Sequence, residues 1–370
     1  MSGARGQHYK RLLEHAEEAV VPISVQIELT GRCNLHCSHC FLDIIHPPEE
    51  LSVDQWTDVI DQLADLGTLF LSITGGEPFL RRDTFDIAEH ARAAGMALTL
   101  LTAGTRFRDG DLDRIAAMHP LAVNISLYAA NPSVHDAITR RPGSHKKTLA
   151  SAVGLRQRGV PVILKTPILK PTIDEVQGIV DIAHRIGAEY TFDPTIITRR
   201  DGSSEPIELR PTREEVARVL ALPALQASVF ELPRPPRSAD TPVCSIARRL
   251  AVIVPNGDVM PCTLHPEPAG NVTRESFADI WTRSPLLGAL RATTMGSLDD
   301  ACASCSQNDA CGRCGALALL EDGDFLGPSR AACDLADARQ LAAGLPLIQL
   351  GSGRHRSSTA SPSEPRTARQ

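Results

Sequence analysis

Between residues 23 and 192 the chain alternates short apolar runs with amphipathic stretches. The runs are ISVQIEL (23–29), TLFLSIT (68–74), MALTLLT (96–102), LAVNISL (121–127), VPVILKT (160–166) and AEYTF (188–192). They have strand length, and several are apolar on both faces, as buried parallel strands are. The intervening stretches read as helices with start and stop signals. Ser52 with Gln55, and Thr172 with Glu175, fit capping boxes. Gly67, Gly95, Gly159 and Gly187 stand where helices should end. Six strand–helix units running one way, joined by right-handed crossovers, curl into a partial barrel, so residues 23–200 are expected to form a (βα)6 domain.

The rest of the chain follows a different pattern. Residues 1–22 contain one short helix, YKRLLEHAEEAV. Residues 201–243 are rich in Pro, Ser and charge, with one helix expected over about 212–222, and read as a linker. Residues 244–345 hold seven cysteines and are expected to form a second, smaller domain. Residues 346–370 have little to bury and are expected to be disordered. The predicted class is α/β: a partial (βα)6, TIM-like barrel followed by a small cysteine-rich α+β domain.

Composition narrows the chemistry. Hydrophobic residues make up 42% and charged residues 22% of 370, as in an ordinary globular protein. A formal charge of −6 argues against a nucleic-acid partner. No apolar run approaches the ~18 residues of a membrane span. The N-terminus lacks the apolar core of an export signal, so a cytoplasmic location is expected. In that compartment ten cysteines are not a disulfide framework, and their clustering points to metal.

Cys33, Cys37 and Cys40 lie in GRCNLHCSHCF, directly after the first strand. That position is the C-terminal face of the barrel strands, where barrels carry their chemistry. Three thiolates can hold three irons of a [4Fe–4S] cubane and leave the fourth open to a ligand. A zinc site with His36 or His39 as fourth ligand is the alternative. After the second strand comes TGGEPFL, Thr74–Leu80, on the same face. Its paired glycines let backbone approach a ligand closely, and Glu77 offers a carboxylate to an amino group.

A CxxxCxxC loop and GGEP on a (βα)6 domain resemble the radical S-adenosylmethionine (SAM) enzymes, over about residues 20–200. In that family the open iron chelates the methionine part of SAM. Reductive cleavage then yields a 5′-deoxyadenosyl radical that abstracts a substrate hydrogen. The resemblance implies cluster ligation by Cys33, Cys37 and Cys40, and places Gly75, Gly76 and Glu77 at the SAM methionine. It implies Ser126 near the ribose, and His39 or Phe41 near the adenine. Two positions depart from the family pattern: Ala103 stands where many relatives carry Asn, and Thr139 where relatives often carry an Arg for the SAM carboxylate. Arg140, Arg141 and Lys165 are the candidate substitutes.

The remaining cysteines are Cys244, Cys262, Cys302, Cys305, Cys311, Cys314 and Cys333. Two CxxC pairs alone would suit a zinc ribbon. The full array resembles the SPASM extension of radical SAM enzymes over about residues 240–335, with x2 instead of the usual x3 as the last step of its four-cysteine run. The resemblance implies two auxiliary [4Fe–4S] clusters, one on Cys302, Cys305, Cys311 and Cys333, the other on Cys244, Cys262 and Cys314. Sets of three, three and four then use all ten cysteines.

The implied activity is oxidative modification of a ribosomally made peptide or a protein side chain, as a crosslink, thioether or dehydrogenation. Radical dehydrogenation or epimerisation of a small molecule such as a sugar is the first alternative. Sulfatase-type formylglycine maturation is the second; there Thr263 stands where such relatives carry a catalytic Asp. No general acid or base stands out. The implied partners are a precursor peptide and a flavodoxin- or ferredoxin-type electron donor. Only 22 residues precede the first strand, too few for a leader-binding domain, so a separate small leader-binding protein is expected.

Overall fold

The computed structural model describes residues 4–42, 49–200, 202–226, 238–308 and 310–344. The expected disordered tail and most of the Pro-rich stretch before Cys244 lie outside them. The six expected strands form: β1 (Ser24–Glu28), β2 (Phe70–Thr74), β3 (Ala97–Thr102), β4 (Ala122–Ser126), β5 (Val162–Pro167) and β6 (Glu189–Asp193). All pair in parallel with their sequence neighbours. The helices are α1 (Ala4–Glu18), α2 (Val53–Asp65), α3 (Thr84–Ala93), α4 (Asp111–Ala117), α5 (Pro132–Thr139), α6 (Ser144–Gln157), α7 (Val176–Ile186) and α8 (Arg213–Leu220).

The strands alternate more sharply than their composition suggests. One face carries Val25, Ile27, Leu71, Ile73, Leu98, Leu100, Val123, Ile125, Val162 and Leu164, all at most 1% exposed. These residues share one core with Trp56, Ile60 and Leu63 of α2, Ile87 and Ala91 of α3, Leu155 of α6, and Ile179 and Ala183 of α7. The other face carries Gln26, Glu28, Ser72, Thr74, Thr99, Asn124, Ser126, Lys165 and Thr191. Several strands were expected to be apolar on both faces; instead the helix-facing side is apolar and the inner side mostly polar, because strand side chains alternate. A polar inner face can hydrogen-bond a polar ligand.

The Ser52–Gln55 capping box forms, with each side chain bonded to the other residue's backbone N–H. The Thr172–Glu175 box does not. Residues Lys170–Glu175 wind as a 3₁₀ helix, and α7 begins only at Val176. There the Thr172 hydroxyl turns back to the Leu169 carbonyl, and Glu175 accepts from Asn131 N at 2.7 Å. Gly67, Gly95, Gly159 and Gly187 do follow helix ends, each at positive φ. The linker helix is shorter than expected, closing at Leu220, and is started by a Thr212–Glu215 capping box. It packs through Val216, Ala217 and Leu220 on Ala338 of the helix Arg330–Ala342.

The C-terminal region continues the barrel sheet. β7 (Leu250–Ile253) pairs in parallel with β1, and β8 (Asp258–Met260) and β9 (Gly270–Asn271) follow antiparallel. The sheet order is β6-β5-β4-β3-β2-β1-β7-β8-β9. Farther along, Trp281 stacks on Phe277, and its indole N–H donates to Val20 O at 2.6 Å. Phe277 N donates to the Gln62 side chain of α2 at 2.8 Å. Among the described residues no helix is long and apolar enough to cross a membrane.

Candidate functional site

The three-cysteine loop leaves β1 at the C-terminal rim and is held from several sides. His36 N donates to Thr139 O at 3.1 Å and Ser38 N to Ile138 O at 3.0 Å, docking the loop on the end of α5. Cys40 N donates to Cys37 O at 3.0 Å, closing a tight turn. From the loop after β6, Arg199 Nε reaches Cys40 O at 3.1 Å and Arg200 N reaches Phe41 O at 2.8 Å. The Arg200 guanidinium lies 5.4 Å over the Phe41 ring and grips both oxygens of Glu28 at 2.8 Å. It also approaches Thr263 O at 3.5 Å, so one side chain joins β1, the cysteine loop and the segment after Cys262. The residue pair Arg199–Arg200 gave no signal in the sequence; only the fold brings it here.

The GGEP turn packs against the start of that loop, backbone to backbone. Gly76 N donates to Thr30 O at 2.7 Å and Glu77 N to Arg32 O at 2.9 Å. A Cβ on Gly75 would lie 2.6 Å from Thr30 O, and one on Gly76 would collide with the Arg32 carbonyl. The close approach that the paired glycines permit is thus to the cysteine loop itself. Glu77 is fully buried, and its carboxylate accepts from Thr102 Oγ1 at 2.7 Å, Ala103 N at 2.9 Å and Phe79 N at 3.3 Å. Burial raises its pKa, and those hydrogen bonds oppose the rise. Ala103, one of the two departures, thus contributes its backbone N–H to Glu77.

Thr139, the other departure, is buried and bonded to Ser144 Oγ at 2.7 Å and to Asp136 O at 3.1 Å. Among its candidate substitutes, Arg140 pairs with Glu205 at 2.7 Å and Arg141 is exposed. Lys165 stands on β5 directly beside Ser126 of β4, on the inner face. Two residues beyond Ser126, and so on the same face, comes Tyr128, which sequence reasoning passed over although the strand period points to it. Its ring meets His39 edge-on at 4.6 Å and stacks on His135 at 5.3 Å. Burial holds both imidazoles neutral, lowering each pKa to about 4. The Nδ1 of His39 is buried without a hydrogen-bond partner.

Burial pushes the thiols of Cys33 and Cys37 up to about 12, with Cys40 raised in the same direction. Negative charge on Cys40 adds to the rise at Cys33 and Cys37, so the three thiols lie together. In the C-terminal region, burial raises Cys262 to about 11 and Cys244 in the same direction; both also feel Cys314, and Cys262 feels Cys244. Cys311 likewise feels Cys305 and Cys302, and Cys302 feels Cys305. Cys333 sits in the first turn of the helix Arg330–Ala342. No disulfide joins these residues. Among the described residues no three His, Cys, Asp or Glu side chains converge as the ligands of one metal ion would. The chemistry of the donors fits iron–sulfur clusters: they are all thiols, and Cys33, Cys37 and Cys40, like Cys244, Cys262 and Cys314, lie near enough to feel one another's charge.

Residues 27–183 match the radical SAM superfamily, and residues 244–314 match the SPASM iron–sulfur cluster-binding domain. The PqqA peptide cyclase of Xanthomonas campestris pv. campestris (strain 8004) is 30% identical over 326 residues, 83% of this chain and 86% of that protein. The AdoMet-dependent heme synthase of Methanosarcina barkeri (strain Fusaro / DSM 804) is 27% identical over 82% of this chain and 94% of its own. Among solved structures, Streptococcus suis SuiB bound to precursor peptide SuiA superposes with a TM-score of 0.67 at 15% identity, covering 88% of this chain and 80% of that one. Native anSMEcpe with bound AdoMet and Cp18Cys peptide gives a TM-score of 0.66 at 14% identity, covering 87% and 96%. With both cysteine-bearing regions matched and the fold shared, the chain belongs to the radical SAM superfamily, in the branch that carries a SPASM domain.

Proposed function

We propose that this enzyme oxidatively modifies a ribosomally made peptide, forming a crosslink, a thioether or a double bond. The observation that carries the reading is the likeness to PqqA peptide cyclases, at 30% identity over 83% of the chain. Small-molecule dehydrogenation or epimerisation, and formylglycine formation, are less favoured by that likeness.

The radical SAM domain binds a [4Fe–4S] cluster and SAM, and the SPASM domain binds auxiliary iron–sulfur clusters. When bound, the first cluster and SAM supply a 5′-deoxyadenosyl radical, and the auxiliary clusters an electron sink. In this reading Cys33, Cys37 and Cys40 hold the SAM-binding cluster. Cys302, Cys305, Cys311 and Cys333 hold one auxiliary cluster, and Cys244, Cys262 and Cys314 the other. Glu77, anchored by Thr102 and Ala103, fixes the turn in which Gly75 and Gly76 present backbone to the SAM methionine. Ser126 faces the ribose, Lys165 beside it supplies the cation for the carboxylate, and His39 or Phe41 borders the adenine. The polar inner face orients the substrate while the helices and the sheet exclude water from beneath.

The same reading divides the chain into a helical extension (1–22), the barrel domain (23–200), a linker (201–243) and the auxiliary-cluster domain (244–345). A flavodoxin- or ferredoxin-type protein provides the electron. A separate small protein delivers the precursor's leader. Reconstituted enzyme, SAM, reductant and its ribosomally made precursor peptide should together give 5′-deoxyadenosine and a peptide lighter by two hydrogens in mass spectrometry. An unchanged peptide mass, with turnover of a small molecule instead, would overturn the reading. Adding the leader-binding partner should tighten precursor binding by about an order of magnitude. Equally tight, productive binding by the isolated enzyme would remove the partner from the scheme.

A further inference from the structure

We propose that Tyr128 donates a hydrogen bond to the Cys37 thiolate and so raises the reduction potential of the cluster held by Cys33, Cys37 and Cys40. The proposal rests on the iron–sulfur reading above and adds a positioning residue to it.

The phenol oxygen of Tyr128 lies 3.8 Å from Cys37 Sγ, within hydrogen-bonding range for sulfur. A deprotonated cysteine has no proton to give, so once Cys37 ligates iron the phenol must be the donor.

The ring itself cannot swing away. His39 meets it edge-on, with ring planes at 71° and centroids 4.6 Å apart. His135 stacks on it, 24° from parallel and 5.3 Å away, and His145 backs His135 edge-on at 5.4 Å. The backbone N–H of Tyr128 donates to His135 Nδ1 at 3.2 Å, so the residue is tied to the same imidazole twice. Tyr128 is only 7% exposed, and little water competes for its hydroxyl.

Reduction adds one electron, taken from an external reductant, and no proton. The added negative charge spreads onto the thiolates, which become better acceptors. A donor already aimed at one sulfur therefore stabilises the reduced form more than the oxidised one, and the potential rises. Nothing else about the cluster need change for this effect.

The test is a dithionite titration of anaerobically reconstituted, full-length protein, followed by electron paramagnetic resonance. The signal that changes on adding SAM identifies the relevant cluster among the three. Tyr128→Phe keeps the ring between its imidazoles and deletes only the hydroxyl. At the potential where the wild-type signal is half reduced, the reduced-to-oxidised ratio should fall about tenfold, which for a one-electron couple is ~59 mV toward negative potential. A wild-type midpoint in Tyr128→Phe, with iron content and the SAM-responsive signal intact, overturns the proposal. If Tyr128→Phe fails to hold the cluster, 3-fluorotyrosine in place of Tyr128 decides: its more acidic phenol is the stronger donor, so a positive shift supports the proposal and an unmoved midpoint overturns it. A wild-type protein with no SAM-responsive signal would instead sink the iron–sulfur reading itself.

Discussion

Replacing Arg200 by Gln removes the side chain that joins three parts of the rim. Its partner Glu28 is only 4% exposed, and both carboxylate oxygens are taken by the guanidinium at 2.8 Å. Breaking a buried ion pair from one side costs about 3–5 kcal/mol, because the remaining charge is stranded without water. Here the Arg200 side chain is 32% exposed, so solvent can partly replace it, and about 2–3 kcal/mol is the expected loss. Removing the carboxylate as well, in Glu28→Gln with Arg200→Gln, should return most of that, giving a coupling of about 2 kcal/mol in a double-mutant cycle. The assay is anaerobic chemical denaturation of the holoprotein followed by tryptophan fluorescence. The two tryptophans, Trp56 and Trp281, are 0% and 1% exposed and sit in α2 and in the helix Phe277–Arg283, so they report on both regions. A coupling below about 0.5 kcal/mol would refute the strap, since pairs without contact add to within that margin.

Three further outcomes are expected. Reconstituted protein should carry about twelve irons, and changing Cys33, Cys37 and Cys40 together to Ala should remove about four and end SAM cleavage; zinc with little iron in anaerobically purified protein would defeat the cluster assignment. Gly76→Ala drives a methyl into the backbone carbonyls of Arg32 and Gly31, neither of which can rotate aside, so the two rim loops must separate. Stability should drop by about 1–3 kcal/mol, and SAM affinity with it; an unshifted denaturation midpoint would show that the loops do not depend on this approach. Lys165→Met should weaken SAM binding about tenfold in equilibrium dialysis while iron content holds, the effect of losing one charge-assisted contact of roughly 1.5–3 kcal/mol; unchanged affinity would move the carboxylate contact elsewhere.

Much of the barrel is written in short-range pattern. Four of the six strands lie within the apolar run that announced them and the other two, β5 and β6, run one residue past it, and Ser52–Gln55 caps α2 as its spacing requires. The Thr172–Glu175 box failed because Glu175 found a partner outside its own segment, the backbone of Asn131. A capping pattern specifies which bonds are available within four residues, and a competing bond across the fold can take them. The nearness of Cys244 to Cys262 and Cys314, residues far apart in the chain, was implied only by the family resemblance and not by any local spacing. Tyr128 was within reach of the local pattern, since it continues the period of two from Asn124 and Ser126.

The chain's own pattern therefore determined the strand–helix rhythm, the rim position of both motif loops and the supply of thiols. These depend on side-chain period and local sterics, which act over a few residues. Only the tertiary structure decided that β7 extends the sheet beside β1, that the paired glycines press on the cysteine loop, that Arg200 reaches Glu28, and that Tyr128 stands between two imidazoles beside Cys37. Nearly all of those contacts join residues far apart in the chain. Their formation depends on how whole elements pack and on where a buried charge or hydroxyl finds its partner, and no local pattern carries that information.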